Sequence, residues 1–311
     1  MLKRNKGDAA IWVGESILLK ALNIETVYVC SGRGGYNATH LRETLEQHGG
    51  PGSTAILYHG GGNFGDIWYG EQRLREKVAV DFLDYPIRSF PQTYKFSNPK
   101  KLEHAKELFG RHPDLQLTVR DTKSYMQSQK DFGGKHRILL VPDAATMLIT
   151  SPPPERVHRD DAADFLFLAR TDGEGSQNHW KQIAVVEELR NVTNKEGQAE
   201  EKKLVAMDWI KQDPPGVKTA DWDGKAWLRV NWAYDLLSQG ALVISDRLHV
   251  HILSTLWGID HVVVEEGGYA KLKTYHDTWL LDCSNRVVMT QSVREGVEVA
   301  KKWYRRGGSF S

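Results

Sequence analysis

Short apolar runs rich in β-branched residues recur along the chain, and between them lie longer stretches in which apolar residues return every three or four positions. The first pattern predicts buried strands and the second amphipathic helices. In the first half the strand-like runs are ETVYVC (Glu25–Cys30), TAILYHG (Thr54–Gly60) and RILLVPD (Arg137–Asp143). The helical ones are IWVGESILLKAL (Ile11–Leu22) and PKKLEHAKELFGRH (Pro99–His112), the latter opened by a proline and carrying a glycine near its end. Three successive prolines then interrupt the pattern. They can neither continue a helix nor pair in a central strand, so Ser151–Arg159 reads as a linker. Beyond it the alternation restarts with strands at DFLFLAR (Asp164–Arg170), EKKLVAMDW (Glu201–Trp209), ALVIS (Ala241–Ser245) and DHVVVEE (Asp260–Glu266). Helices are expected at WLRVNWAYDLLSQG (Trp227–Gly240) and DRLHVHILSTLWG (Asp246–Gly258). The polar stretches Arg190–Lys203 and Gln212–Trp227 read as irregular loops. Alternating strands and helices predict parallel sheets, so the fold class is α/β: two Rossmann-like domains, residues 1–152 and 153–311, facing across a cleft.

Composition narrows the partners. The chain of 311 residues carries 41 basic and 40 acidic side chains, a formal net charge of +1, which gives no global field for nucleic acid. Any anion site has to be local. No apolar run approaches the ~20 residues of a membrane helix. The beginning of the chain lacks the apolar segment of a signal peptide, so a cytoplasmic protein is expected. Cys30 and Cys283, each beside a strand-like run, form neither a disulfide framework nor a zinc site.

Ligands of open α/β sheets bind beyond the carboxyl ends of the strands, which directs attention to the residues just after each run. These are His59–Asp66 in HGGGNFGD, Arg120-Asp121, Asp143-Ala144, Arg170-Thr171-Asp172, Ser245–His249 and Gly267–Tyr269. Ser245 or Asp246 is placed to cap the following helix, with Arg247 and His249 in its first turn, where the helix dipole favours an anion. His251, two residues from His249, points roughly 200° around the helix and is expected in the core. Arg120 and Arg170 suit carboxylate or phosphate, or else they pair with the neighbouring Asp121 and Asp172. Asp66 and Asp143 read as general bases or as helix caps. HGGGNFGD has neither the Lys-Ser/Thr of a P-loop nor the order of a dinucleotide fingerprint, and no G-x-S-x-G elbow accompanies it.

Taken in order, NKGDAAI (Asn5–Ile11), HGGGNFGD (His59–Asp66), FPQT (Phe90–Thr93), VRDTKSY (Val119–Tyr125), PDAA (Pro142–Ala145), LARTDGE (Leu168–Glu174) and SDRLHVHI (Ser245–Ile252) resemble the polysaccharide pyruvyl transferases. The resemblance implies a GT-B-like fold with the acceptor on the first domain, the donor on the second, and a C-terminal helix crossing back to the first. It implies transfer of a pyruvyl group from phosphoenolpyruvate to a hexose of a cell-surface glycan or its lipid-linked precursor, as a cyclic ketal at O4 and O6, with no metal or cofactor. It assigns His249, Arg247 and Asp66 to catalysis, with Arg247 on the donor. Arg120, Arg170, Ser245 and Leu248 are further donor contacts; His59, Gly61, Gly62 and Asn63 lie on the acceptor side. A peripheral position at the inner membrane surface is implied through the acceptor, or a Golgi lumen if an N-terminal anchor has been removed. The alternatives are a nucleotide-sugar glycosyltransferase of the same architecture and a glycan-binding protein without activity.

Overall fold

The computed structural model describes residues 4–31, 35–151, 162–171, 179–266, 270–283 and 285–310. The expected linker at 151–159, Asp172 and the stretch Gly267–Tyr269 fall almost wholly outside them. Residues 11–147 gather in one compact unit, and 4–10 gather with the chain from 148 onward in a second. Helix α1 (Lys6–Ala21) is therefore shared: its first turn belongs to the second unit and the rest to the first. The expected division had placed all of these residues in the first domain.

After α1 the first unit contains α2 (Ala38–Gln47), β1 (Ile56–Tyr58), β2 (Gly61–Gly65), α3 (Tyr69–Asp81), β3 (Ile87–Ser89) and β4 (Gln92–Lys95). It continues with α4 (Pro99–Gly110), β5 (Leu115–Val119), α5 (Thr122–Phe132) and β6 (Arg137–Leu140). Every pairing in its sheet is parallel: β1 with β3, β2 with β4, and β5 with β3, β4 and β6. Phe64, Phe109, Phe132, Tyr94 and Ile87 form the centre of its core. Pro99 sits in the first turn of α4 behind the cap Asn98, where its missing N–H costs nothing.

Glu25–Cys30 is not a strand. The segment is exposed or half-buried throughout and has no ladder, because β-branched residues form a strand only where a sheet edge is offered. The glycines of HGGGNFGD are not a loop either: Gly61–Gly65 is β2, which pairs with β4 while β1 pairs with β3, the two being separated at His59-Gly60. The cause lies in the neighbouring strand, where Pro91 has no N–H to offer. The Gln92 side chain supplies the donor instead, reaching the His59 carbonyl (2.6 Å), while the Gly61 amide donates to the Pro91 carbonyl (3.0 Å). Gly65, at φ +136, lies so close to β4 that a Cβ would come within 2.5 Å of the Lys95 carbonyl carbon.

The second unit holds β7 (Ala163–Leu168), α6 (His179–Val186), β8 (Asn191–Thr193), β9 (Ala199–Glu201), β10 (Leu204–Met207) and α7 (Trp222–Ser238). There follow β11 (Gly240–Ser245), α8 (Leu248–Leu256), β12 (His261–Val264), α9 (Lys271–Trp279), β13 (Val287–Thr290) and α10 (Val293–Arg305). The stretch read as a loop at 190–203 is the antiparallel hairpin β8–β9, turned at Gly197 with φ +81. Its signal is Asn194, whose side-chain oxygen accepts the amides of Glu196 and Gln198. The irregular stretch from Gln212 ends earlier than expected, since Asp221 caps α7 through the Gly224 amide (2.7 Å). Helix α10 packs within the second unit, burying Val297, Ala300 and Trp303 beside Val262 and Val264, in place of the expected crossing back.

Candidate active site

The principal sheet of the second unit runs β10-β7-β11-β12-β13, all parallel. Counted by chain order this is 2-1-3-4-5, a doubly wound sheet whose order reverses between β7 and β11. In sheets of this kind ligands bind beyond the carboxyl ends of the strands at the point of reversal. Ser245, Asp246 and Arg247 end β11 there, Arg170 and Thr171 follow β7, and Asp208 and Trp209 follow β10.

Neither Ser245 nor Asp246 caps α8, as had been expected. The N-cap is Arg247, which makes no side-chain capping bond. Both earlier side chains turn toward β7: Ser245 Oγ donates to the Leu168 carbonyl (2.6 Å) and accepts the Arg247 amide (3.1 Å), and Asp246 Oδ1 accepts the Arg170 amide (2.9 Å). The Arg247 guanidinium is buried and reaches past β7 to Asp208 Oδ1 (2.6 Å), with its carbon 5.9 Å from the Trp209 ring. Asp208 also accepts the Thr171 amide (2.9 Å), the Thr171 hydroxyl (2.6 Å) and the Ile210 amide (3.1 Å). Burial disfavours its charge, but the Thr171 bond and the Arg247 charge prevail and hold the carboxyl below its ordinary value. Burial pushes the Asp246 carboxyl the other way, up to about 6, against the pull of Arg247 and Arg170.

The start of α1 meets this region. Asn5 accepts the Gly7 amide (3.1 Å) and donates to Asp8 (3.1 Å), which closes the first turn. Lys6 is 0% exposed; its ammonium donates to the carbonyls of Trp209 and Gln212, lies 4.6 Å over the Trp232 ring, and stands 3.9 Å from Asp213. Burial lowers its pKa to about 8, with Asp213 opposing the fall. Asp213 is held in turn by both arms of Arg229 (2.8 and 3.0 Å). Gly7 lies flat against His249: a Cβ there would fall 2.6 Å from the imidazole Cγ, with Nδ1 nearer still. Two helix N-termini, α1 and α8, therefore meet through Gly7 and His249, adding their amide dipoles to Lys6 and Arg247.

His251 is in the core, as expected. Its Nδ1 is 2.8 Å from His261 Nε2 and its Nε2 is 3.1 Å from His276 Nδ1, while His261 Nδ1 is 2.8 Å from the Ile259 carbonyl. A carbonyl only accepts, so His261 donates through Nδ1, His251 donates to His261, and His276 donates to His251; all three rings are neutral in one tautomeric order. Burial lowers all three pKa values from 6.5, that of His261 to about 4. Because the folded state resists these protons and the unfolded chain takes them up, stability falls as the pH drops through 6.5 toward 4, by on the order of 3 kcal/mol for His261 alone. Unfolding midpoints recorded from pH 7.5 to 4.5 should show this slope, and His261→Gln should flatten it; an unchanged slope would contradict the histidine chain as its source.

In the first unit the expected acceptor residues are occupied with structure. His59 Nδ1 bonds Glu15 (2.7 Å), which also accepts the Gly60 amide (2.8 Å). Asn63 bonds Arg75 through both its backbone carbonyl (2.9 Å) and its side-chain oxygen. Asp66, expected as a catalytic group or a helix cap, accepts the amides of Ser97 (2.9 Å) and Asn98 (2.6 Å) just before α4, whose N-cap is Asn98 itself. Gly61 and Gly62 present strand backbone. Arg120 is 0% exposed and pairs with Asp143 (2.5 Å) and Thr93 (2.8 Å), not with Asp121, which caps α5. The structure thus gathers Arg170, Ser245, Arg247, Leu248 and His249 at one sheet end, and holds the remaining residues within the other unit. Lys6, Gly7 and Asp208 were missed as site residues. Asp208 follows a strand and was open to the strand-end rule, whereas nothing local marks the partners of Lys6.

A chain with this arrangement can be compared with known proteins. The family profile of polysaccharide pyruvyl transferase matches residues 5–267. Pyruvyl transferase 1 of Schizosaccharomyces pombe is 37% identical over 308 residues, covering 97% of this chain and 74% of that protein. The putative pyruvyl transferase EpsO of Bacillus subtilis is 28% identical over 253 residues, 78% of this chain and 74% of the relative. Among solved structures, a functionally uncharacterised protein of Klebsiella pneumoniae superposes with a TM-score of 0.56 at 15% identity, covering 93% of this chain and 91% of its own, a likeness of fold alone. The chain belongs to the polysaccharide pyruvyl transferase family. It is an enzyme of pyruvyl transfer to polysaccharide. No helix among the described residues is long and apolar enough to cross a membrane.

Proposed function

We propose that the enzyme takes its pyruvyl group from phosphoenolpyruvate and forms a cyclic 4,6-ketal on a hexose of a cell-surface glycan or its lipid-linked precursor. The observation that carries the reading is the meeting of the α1 and α8 N-termini at Gly7 and His249, beside Arg247. Phosphoenolpyruvate bears a phosphate and a carboxylate, and needs several cations and aimed N–H donors in one place. Arg247 and the amides of Leu248 and His249 serve the donor in this reading, with Arg170 beside them, and His249 is the phosphate ligand or an acid–base group. Arg120, by its place in the VRD motif, serves as a further donor contact by exchanging Asp143 for the ligand. His59, Gly61, Gly62 and Asn63 lie on the acceptor side. No metal or cofactor enters this reaction, and the enzyme works in the cytoplasm, reaching a lipid-linked acceptor at the membrane surface.

Thermal shifts with phosphoenolpyruvate and with UDP-, GDP- and CMP-sugars test the donor. Stabilisation by phosphoenolpyruvate, together with phosphate release in the presence of galactoside or N-acetylhexosaminide acceptors, is the expected result. Stabilisation by a nucleotide sugar alone would point to a glycosyltransferase instead.

A further inference from the structure

Four acids among the described residues, Asp208, Asp246, Glu265 and Glu266, lie at the carboxyl edge of the second unit's sheet, and three of them have both oxygens or most of their acceptor capacity engaged. Asp208 accepts four hydrogen bonds, from Thr171 twice, Ile210 and Arg247. Glu265 accepts the amides of Leu272 and Lys273 (both 2.8 Å), and Glu266 accepts Gln182 (2.9 Å) and the Val293 amide (3.0 Å). Asp246 differs. Its Oδ1 takes the Arg170 amide, and among the described residues no other residue donates to Oδ2. The residue lies at the switch between β7 and β11, directly before Arg247 and against the start of the β7 loop. Among the described residues, the charged groups that act on it most are Arg247 and Arg170.

We propose that Asp246 is the proton donor of the transfer, delivering its carboxyl proton to the methylene carbon of the enolpyruvyl group. This rests on phosphoenolpyruvate being the donor. A carboxylate beside a bound phosphate and carboxylate would repel them; a neutral carboxyl removes that conflict and offers a proton. Burial shifts the carboxyl toward the neutral form, its pKa pushed up to about 6, and a bound anion moves it further up. As the proton reaches C3 the methylene becomes methyl, and a sugar hydroxyl oxygen bonds to C2, releasing its own proton back to Asp246. The C2–O bond to phosphate then breaks with its electron pair on the phosphate oxygen. The second hydroxyl closes the ring at C2, and its proton leaves on the phosphate.

The test uses the full chain with Asp246→Asn and Asp246→Glu, since asparagine still accepts the Arg170 amide. Turnover is read by phosphate release with phosphoenolpyruvate and a galactoside or N-acetylhexosaminide, donor affinity by calorimetry, and kcat against pH. Asp246→Asn should lose at least 100-fold in kcat while binding phosphoenolpyruvate within threefold of the wild type. The wild-type decline of kcat toward high pH, where the acid is deprotonated, should vanish in it; Asp246→Glu should restore part of both. A kcat within threefold of wild type, an unchanged pH profile, or donor binding lost in step with kcat would each overturn the assignment of Asp246 alone. A wild type that neither binds phosphoenolpyruvate nor releases phosphate from it would overturn the donor reading, and this one with it.

Discussion

Arg247→Ala is expected to lower kcat/KM for pyruvyl transfer by at least about a hundredfold, the scale set by removing one well-aimed donor from a charged reaction centre. It should destabilise the fold as well. Arg247 and Asp208 form a pair almost closed to solvent (2.6 Å), and removing the cation leaves a buried carboxylate behind. Such losses run to about 3–5 kcal/mol when the stranded charge has no other partner. Here Thr171 and Ile210 continue to donate to Asp208, so about 2 kcal/mol is the expected cost. The two effects separate by experiment. Adding Asp208→Asn to Arg247→Ala removes the stranded charge and should recover most of the unfolding midpoint but none of the activity. If activity returned together with stability, Arg247 would be a structural residue and the donor site would lie elsewhere.

Gly7→Ala is expected to be nearly as damaging to transfer as His249→Ala, although the glycine bears no functional group. Its backbone is helical, so no strain of conformation is involved; the damage comes from space. A methyl at this position overlaps the His249 imidazole, which must swing out of place or push α1 away. Overpacking of this kind costs about 1–3 kcal/mol when the neighbour can yield. A double-mutant cycle isolates the mechanism: in a His249→Ala background the obstacle is gone, and Gly7→Ala should then have little further effect on stability or residual turnover. Losses that simply add would mean that Gly7 acts through something other than the ring.

The candidate site was partly legible in the sequence because part of it is local. Ser245-Asp246-Arg247-Leu248-His249 is a single strand-to-helix passage, and the rule that ligands sit beyond strand ends selects it without any knowledge of packing. The opposite facing of His249 and His251 follows from helix geometry alone, and the structure places His251 in a chain of neutral histidines. The same local reasoning erred wherever a second segment decided the outcome. Ser245 and Asp246 have the chemistry of caps, yet β7 lies close enough to take both side chains sideways. Glu25–Cys30 has the composition of a strand and no edge to join. The glycines after Tyr58 looked like a loop, and became β2 because Phe90-Pro91 breaks the partner strand at the same level.

What the sequence by itself determined is the α/β class, most strands and helices of both halves, and the strand-end residues Arg170, Arg247 and His249, since hydrophobic period and turn chemistry act over a few residues and need no partner. Only the tertiary structure decided that the second sheet runs 2-1-3-4-5, which sets Asp208, Arg170 and Asp246 just beyond the ends of neighbouring strands. It alone brought the first turn of α1 to His249 and enclosed Lys6 among the carbonyls of Trp209 and Gln212, some two hundred residues away. Such neighbours are fixed by strand order and by helix packing, and both depend on the free energy of the whole fold rather than on any one segment.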